Sequence, residues 1–404
     1  MHHQRGSPAP LFFRPVKPLS PIVAALVALV AFASHAQAAA FVPTDDAIVL
    51  ERLPSRGDPA LAELRRQQLE LAKDARDPRR ASLVAQRAIQ AARASGDPRF
   101  LGQAQAALMP WWSDDQAPGY VLTLRATIKQ SLHDFAGALR DLDRLLAIEP
   151  GNAQALLTRA TVLTVTGRYD EARRDCTSLA PRVDALVATT CMAGVTSVTG
   201  DADHAARLLD DALATSAGPA EVRVWSQTLA GEIAVRRGDT ASAEKHFVRA
   251  LASDATDAYL KGAYADFLLD QRRYAAVVAL LRNETRNDAL LLRLALSEKQ
   301  LPEQALAFAR HRDELAERFE AARRRSDTLH LREEARFALE IDGDAKRALR
   351  LARENWANQR EPADLRILAA AAEAGNDASA RDVVAQWIAK TGYRDIALAT
   401  RKGT

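Results

Sequence analysis

Between residues 118 and 283 the apolar and polar positions fall into one recurring phrase. TGRYDEARRDC (166–176), VTGDADHAARLL (198–209) and RRGDTASAEKHF (236–247) each close an apolar-periodic stretch on Gly, take a polar step and open the next stretch around Ala. In register, His133, Gly167, Gly200, Gly238 and Arg272 lie 34, 33, 38 and 34 residues apart. Two residues after each stands Phe135, Tyr169, Ala202, Thr240 or Tyr274, and five after each stands Ala138, Ala172, Ala205, Ala243 or Val277. Helical spacing on both sides of the Gly predicts two helices per period, and a period of this size predicts a stacked array. Gly supplies the left-handed residue that ends a helix. An Asp directly after it, as at Gly200-Asp201 and Gly238-Asp239, caps the next helix. Ala three residues into that helix lets the two backbones approach.

Composition supports helices over sheets. Of the 404 residues 48% are hydrophobic but only 5% aromatic, so the apolar mass is mainly Ala, Leu and Val. Gly and Pro are sparse and mark turns. The expected fold class is all-α.

In detail the chain resembles the tetratricopeptide repeat family. The unit from Gly119 to Pro150 offers Ala126 on its first helix, Phe135 after the turn, then Ala138, Leu142 and Pro150. Later units offer Ala160, Leu163, Gly167, Tyr169 and Ala172; Ala193, Gly200, Ala205 and Leu209; Gly231, Gly238, Ala243 and Phe247; and Ala265, Leu268, Tyr274 and Leu281. The family's first-helix Trp is replaced by Leu122 and Leu156. The resemblance covers 118–283, with degenerate copies at 59–117 and 284–404. It implies a right-handed α-solenoid of helix–turn–helix repeats, either one continuous stack or two blocks parting at the polar NETRND (283–288).

The N-terminus reads differently. Residues 1–20 carry Arg5, Arg14 and Lys17 and no acid, twelve apolar residues follow from Ile22 to Ala33, and Ala36-Gln37-Ala38 ends the run. That is the layout of a secretory signal peptide cleaved near Ala38, and twelve residues are too few to span a bilayer. Residues 39–58 then form an arm or cap. Without the leader, 55 basic and 52 acidic residues become 52 and 52. The mature chain has no cationic excess of the kind nucleic-acid binding uses, and no integral membrane span is expected in it. The expected address is the periplasm. In an oxidising compartment Cys176 and Cys191, placed about two turns either side of a turn near Pro181 to Asp184, either form a disulfide or serve as two small buried apolar residues.

No phosphate loop, dinucleotide fingerprint, HExxH or CxxC is present, and His133, His204, His246, His311 and His330 lack metal-ligand spacing. No catalytic residue, metal or cofactor is expected. His204 and His246 occupy nearly equivalent repeat positions, which predicts a repeated surface role. Asp141/Asp143 and Asp210/Asp211 beside Arg140, Arg144 and Arg207 predict solvated helix faces. The run ARHRDELAERFEAARRR (309–325) predicts a long exposed helix with interleaved charges. Trp111-Trp112 predicts a plug between repeats rather than a ligand platform.

The family's groove positions, carried over residue by residue, fall on Tyr120, Thr127, Gln154, Thr161, Trp225, Glu232, Arg236, Tyr259 and Asp266. The Lys and Asn with which one subgroup clamps a terminal carboxylate are missing. A neutral, Thr-rich groove suited to an extended peptide, or to a glycan, is expected. The resemblance thus implies an exported, non-enzymatic scaffold for a protein or peptide partner in the cell envelope; the alternative is an accessory part of a polysaccharide or surface-structure export machine.

Overall fold

The computed structural model describes residues 59–325 and 327–399. The leader at 1–38 and the arm at 39–58 lie outside the described residues. Helices α1 (Pro59–Lys73), α2 (Pro78–Ser95) and α3 (Arg99–Ala107) come first. Helix pairs follow: α4 (Gly119–Ser131) with α5 (Phe135–Ile148), α6 (Ala153–Val165) with α7 (Tyr169–Leu179), and α8 (Ala185–Val198) with α9 (Ala202–Thr215). Next are α10 (Ala220–Arg237) with α11 (Thr240–Ser253), and α12 (Ala258–Asp270) with α13 (Tyr274–Leu281). The last pairs are α14 (Asp288–Glu298) with α15 (Ala305–Arg324), α16 (Leu331–Glu340) with α17 (Ala345–Asn358), and α18 (Pro362–Ala374) with α19 (Ala378–Thr391). A short α20 (Ile396–Ala399) ends the described chain. There is no strand among the described residues, and none of their helices is long and apolar enough to cross a membrane.

Each pair is built by the local grammar of its sequence. Asp134, Asp201, Asp239 and Asp344 accept the backbone N–H three residues on and start α5, α9, α11 and α17. At the preceding corner the backbone is left-handed, with Gly at 167, 200, 238 and 343; His133 (φ 58°) and Arg272 (φ 56°) adopt the same conformation without being Gly. Behind the corner, Ala138, Ala172, Ala205, Ala243 and Val277 are all fully buried. The fold is an all-α solenoid. Its first helices, α4 through α18 at every second position, touch one another in succession, and the stack passes 284–290 without a gap because α14 packs on both α12 and α13.

The inner helices are drawn together by charge. Asp266 on α12 accepts Arg293 Nη2 from α14 at 2.6 Å and Arg336 Nη1 from α16 at 2.6 Å. Asp270, one turn further, accepts Arg366 Nη1 from α18 at 3.1 Å. The array therefore coils tightly, and its later repeats return to the corners of the earlier ones about six periods downstream. His133 O accepts Asn358 Nδ2, Val165 O accepts the Arg360 N–H at 2.8 Å, and Tyr169 packs on Trp387 with ring centroids 5.9 Å apart. At the Gly200 corner a Cβ would meet the Gly392 oxygen at 3.3 Å, so two left-handed glycines let backbone lie on backbone.

Two expectations about polar residues are corrected. Asp141 is not on a solvated face: it is 2% exposed, facing α4, where Arg125 makes a bidentate pair with it and Lys129 Nζ donates at 2.7 Å. Asp175 and Arg159, also 16 residues apart, repeat the device one unit later. Nor has His246 a surface role: it is 6% exposed, its Nδ1 is 2.6 Å from Gln227 Oε1 and its Nε2 3.1 Å from Asp210, while His204 is exposed. In both cases the partners come from other helices, Arg125 and Gln227 from the other helix of the pair and Asp210 from the preceding pair, so spacing along one helix gave the wrong face. The run 309–325 is mostly α15, whose His311, Leu315, Phe319 and Ala322 are buried while its charges face outward.

Cys176 on α7 and Cys191 on α8 are bonded, with Cα atoms 5.6 Å apart, and tie one repeat to the next across 15 residues of sequence. A loop of that size constrains the unfolded chain by about 3 kcal/mol. Cys176→Ser with Cys191→Ser should lower the denaturant midpoint by the equivalent of about 2–4 kcal/mol; an unchanged midpoint would show that the bond contributes nothing. For Asp266, burial raises the carboxyl's pKa, but Arg293 and Arg336 outweigh it and hold the group well below the usual carboxylate range. Its stabilisation is complete above the unfolded-state pKa of about 3.9 and is lost as pH falls below that. Asp266→Asn should thus cost about 1–3 kcal/mol at pH 7, with the gap to wild type shrinking below about pH 4. Urea titrations at pH 7 and pH 3.5 measure both quantities.

Candidate functional site

Where the two turns of the superhelix face each other, the groove narrows to a chamber of about 280 Å³. A smaller neighbouring cavity of about 140 Å³ shares Asp266, Arg293, Arg332 and Glu333 with it. The walls come from the inner helices α6, α8, α10, α12, α14 and α16, from Tyr169 at the start of α7, and from the link between α17 and α18 with the first residues of α18. Periodicity explains why these side chains converge: first helices of successive pairs present one face inward, and tight coiling turns that face into a wall around a small space.

Four formal cations and four carboxyl groups line the chamber: Arg236, Arg293, Arg332 and Arg360 against Glu232, Asp266, Glu333 and Glu361. Most are engaged. Arg293 is fixed on Asp266, and Arg332 Nη1 donates to Glu361 Oε2 at 2.9 Å and to Asp364 Oδ1 at 3.3 Å. Tyr259 keeps 63% of its surface open, and its hydroxyl donates to Glu232 Oε1 at 2.7 Å. Burial pushes the Glu232 carboxyl above its ordinary range, against the pull of the Tyr259 hydrogen bond and of Arg236. The neighbouring Glu232 charge raises the Tyr259 phenol well above its usual value. Arg236 differs: its Nη2 donates to Ser197 Oγ at 2.8 Å, its Nε has no hydrogen-bond partner, and it forms no ion pair among the described residues.

The far end is closed by the C-terminal segment. Arg366 holds Asp395 through two hydrogen bonds of 2.7 and 2.8 Å, the Tyr393 hydroxyl donates to the same carboxylate at 2.9 Å, and Ala397 lines the smaller cavity. What the site can do chemically is recognise: it offers fixed donors, fixed acceptors and one open aromatic ring in a space too small for a folded domain.

Of the nine residues expected along a groove, Glu232, Arg236, Tyr259 and Asp266 are brought together here. The other five are not. Tyr120 stands 45% exposed at the start of α4, and Trp225, half-buried, is not in the chamber wall. The hydroxyls of Thr127 and Thr161 return to carbonyls one turn back on their own helices, and Gln154 donates to Thr158. The chamber balances its formal charges, but its polarity comes from ionic groups of both signs rather than from Thr. Arg293, Arg332, Glu333, Arg360 and Glu361 were missed because they lie in the degenerate C-terminal units, where the spacing is irregular: Gln300 to Gly343 is 43 residues. The alternation of acid on α10 and α12 with Arg on α14 and α16 was the available signal.

Residues 131–176, from the end of α4 into α7, match a family model described as Tetratricopeptide repeat. No curated protein matches the chain. Among solved structures, a tetratricopeptide repeat protein from Parabacteroides merdae ATCC 43184 is 14% identical, covering 71% of this chain and 98% of its own, with a TM-score of 0.34. A Rap protein complexed with Competence and Sporulation Factor is 15% identical over 82% of this chain and 92% of its own, with a TM-score of 0.48. The tetratricopeptide domain of P58(IPK) is 15% identical over 77% and 97%, with a TM-score of 0.22. The described chain is thus an all-α solenoid whose residues 131–176 resemble the tetratricopeptide repeat family.

Proposed function

We propose that this protein is an exported, non-enzymatic scaffold that receives a short peptide segment of a protein partner in the chamber. The observation that carries the reading is the pairing of an open Tyr259 ring with fixed charges of both signs in a space of about 280 Å³. That volume sits at the small end of ligand pockets, and it suits one or two residues of extended chain with polar side chains. The ion pairs hold the walls before any ligand arrives, so little ordering entropy opposes binding. Most of the titratable groups in the wall are committed to a partner, which favours recognition over proton transfer. Export is supported by the leader pattern at 1–38 together with the Cys176–Cys191 bond, the kind of bond that persists in oxidising compartments.

The test uses full-length protein expressed with its own N-terminus and recovered from the periplasmic fraction. Its intact mass should correspond to residues 39–404. The purified protein is then incubated with a randomised tripeptide library, and bound peptides are eluted and identified by mass spectrometry. Defined peptides should be enriched by wild type and recovered at least tenfold less by Tyr259→Ala. Equal recovery by both proteins, or no enrichment by wild type, would overturn the peptide reading; retention of residues 1–38 in the cytoplasm would overturn export.

A further inference from the structure

Arg236 stands at the inner end of α10, only 7% exposed. Its one neutral partner, Ser197 Oγ, already gives its own hydrogen to Gly194 O at 3.0 Å. A guanidinium in that position is costly to bury, because no carboxylate among the described residues pairs with it directly, Glu232 acting on it only through space, and its Nε–H is left unbonded. The repeat does not require it. Two residues before the corner glycine the preceding units place Val165 and Val198, which satisfy the same packing with no charge at all.

A second cation faces the same chamber from the other superhelical turn. Arg360, on the link between α17 and α18, donates its backbone N–H to Val165 O at 2.8 Å and Nη1 to Thr166 O at 3.0 Å. Its guanidinium lies 5.5 Å from the Trp387 ring centroid, and it too makes no ion pair among the described residues. Tyr169 lines the chamber with both arginines; burial raises the pKa of its phenol while the Arg360 and Arg236 charges pull the other way and Glu361 adds to the rise, and its hydroxyl has no hydrogen-bond partner among the described residues. Of the carboxylates nearby, Glu232 accepts the Tyr259 hydroxyl and acts on Arg236 only through space, and Glu361 takes Arg332. Two arginines without a direct ion pair among the described residues and a tyrosine with an unpartnered hydroxyl therefore line a single small space.

We infer that Arg236, Arg360 and the Tyr169 hydroxyl form a buried oxyanion site that spans the two superhelical turns and takes a carboxylate or phosphoryl oxygen of the ligand. This deepens, and rests on, the chamber's proposed role in binding. An anion there supplies the counter-charge that the fold withholds, through charge-assisted hydrogen bonds from two planar donors. It also joins α10 to the α17–α18 link, so that ligand binding and closure of the superhelix become one event.

Full-length protein is followed by thermal unfolding at pH 7 and constant ionic strength while sodium acetate, and in a separate arm sodium phosphate, is titrated. The inference expects a saturable rise in Tm, about 2 °C or more near saturation, with at least one anion. Acetate alone identifies a carboxylate ligand, phosphate alone a phosphoryl ligand. Arg236→Met and Arg360→Gln should each abolish the rise; if the first fails to fold, the second carries the test. No saturable rise in wild type, or a rise that survives in the folded variants, overturns the site. Peptide capture without any anion effect sinks this inference alone, whereas an anion effect without peptide capture sinks only the peptide reading.

Discussion

The bridging of three inner helices by one carboxylate sets the geometry of the rest. Asp266 accepts an arginine from α14 and another from α16, so three consecutive first helices are held within ion-pair reach of a single point. A stack of helix pairs has a curvature chosen by what sits between the inner faces. Bulky apolar residues there would open the superhelix; a shared charge network pulls it shut. The consequence appears about six periods later, when α17 to α20 meet the corners of α4 to α10. Backbone-on-backbone contact at Gly200 and Gly392 is possible only because the coil is that tight.

From this closure follow the chamber and its character. An open groove would present exposed Thr and Tyr side chains along its length, whereas a closed coil brings residues of distant repeats face to face. Arg360 meets Val165 and Thr166 from the other turn, and Arg366 ties both α12 and the C-terminal segment to α18. Buried ion pairs of this kind are weak contributors to net stability but costly to break on one side. They make a rigid, pre-formed site rather than a flexible one. Arg236 is the exception, a buried cation that forms no ion pair among the described residues and whose Nε–H has no hydrogen-bond partner there.

The helix corners were legible in the sequence because they are local. Gly, a capping Asp and Ala at fixed offsets need only each other, and even His133 and Arg272 betray themselves by register with the glycines. The pairings across a helix pair were not legible: Asp141 and His246 read as surface residues until the partner helix supplied Arg125 and Gln227. The chamber was half legible. Glu232, Arg236, Tyr259 and Asp266 follow from groove positions in the regular repeats, but Arg293, Arg332 and Arg360 belong to units whose spacing is irregular. Pitch, finally, is a sum of small rotations over many repeats, and no single motif encodes it.

The claim on which the account turns is that the second superhelical turn rests on the first in solution. Asp203, at the start of α9, and Arg394, before α20, are exposed and border one cavity between the turns. Spin labels on Asp203→Cys and Arg394→Cys, in protein whose Cys176 and Cys191 remain bonded, report their separation by pulsed dipolar spectroscopy. The account predicts a single narrow distribution at the short end of the measurable range. A broad distribution centred at long distances would mean an open solenoid, and would contradict both the closure and the chamber built on it.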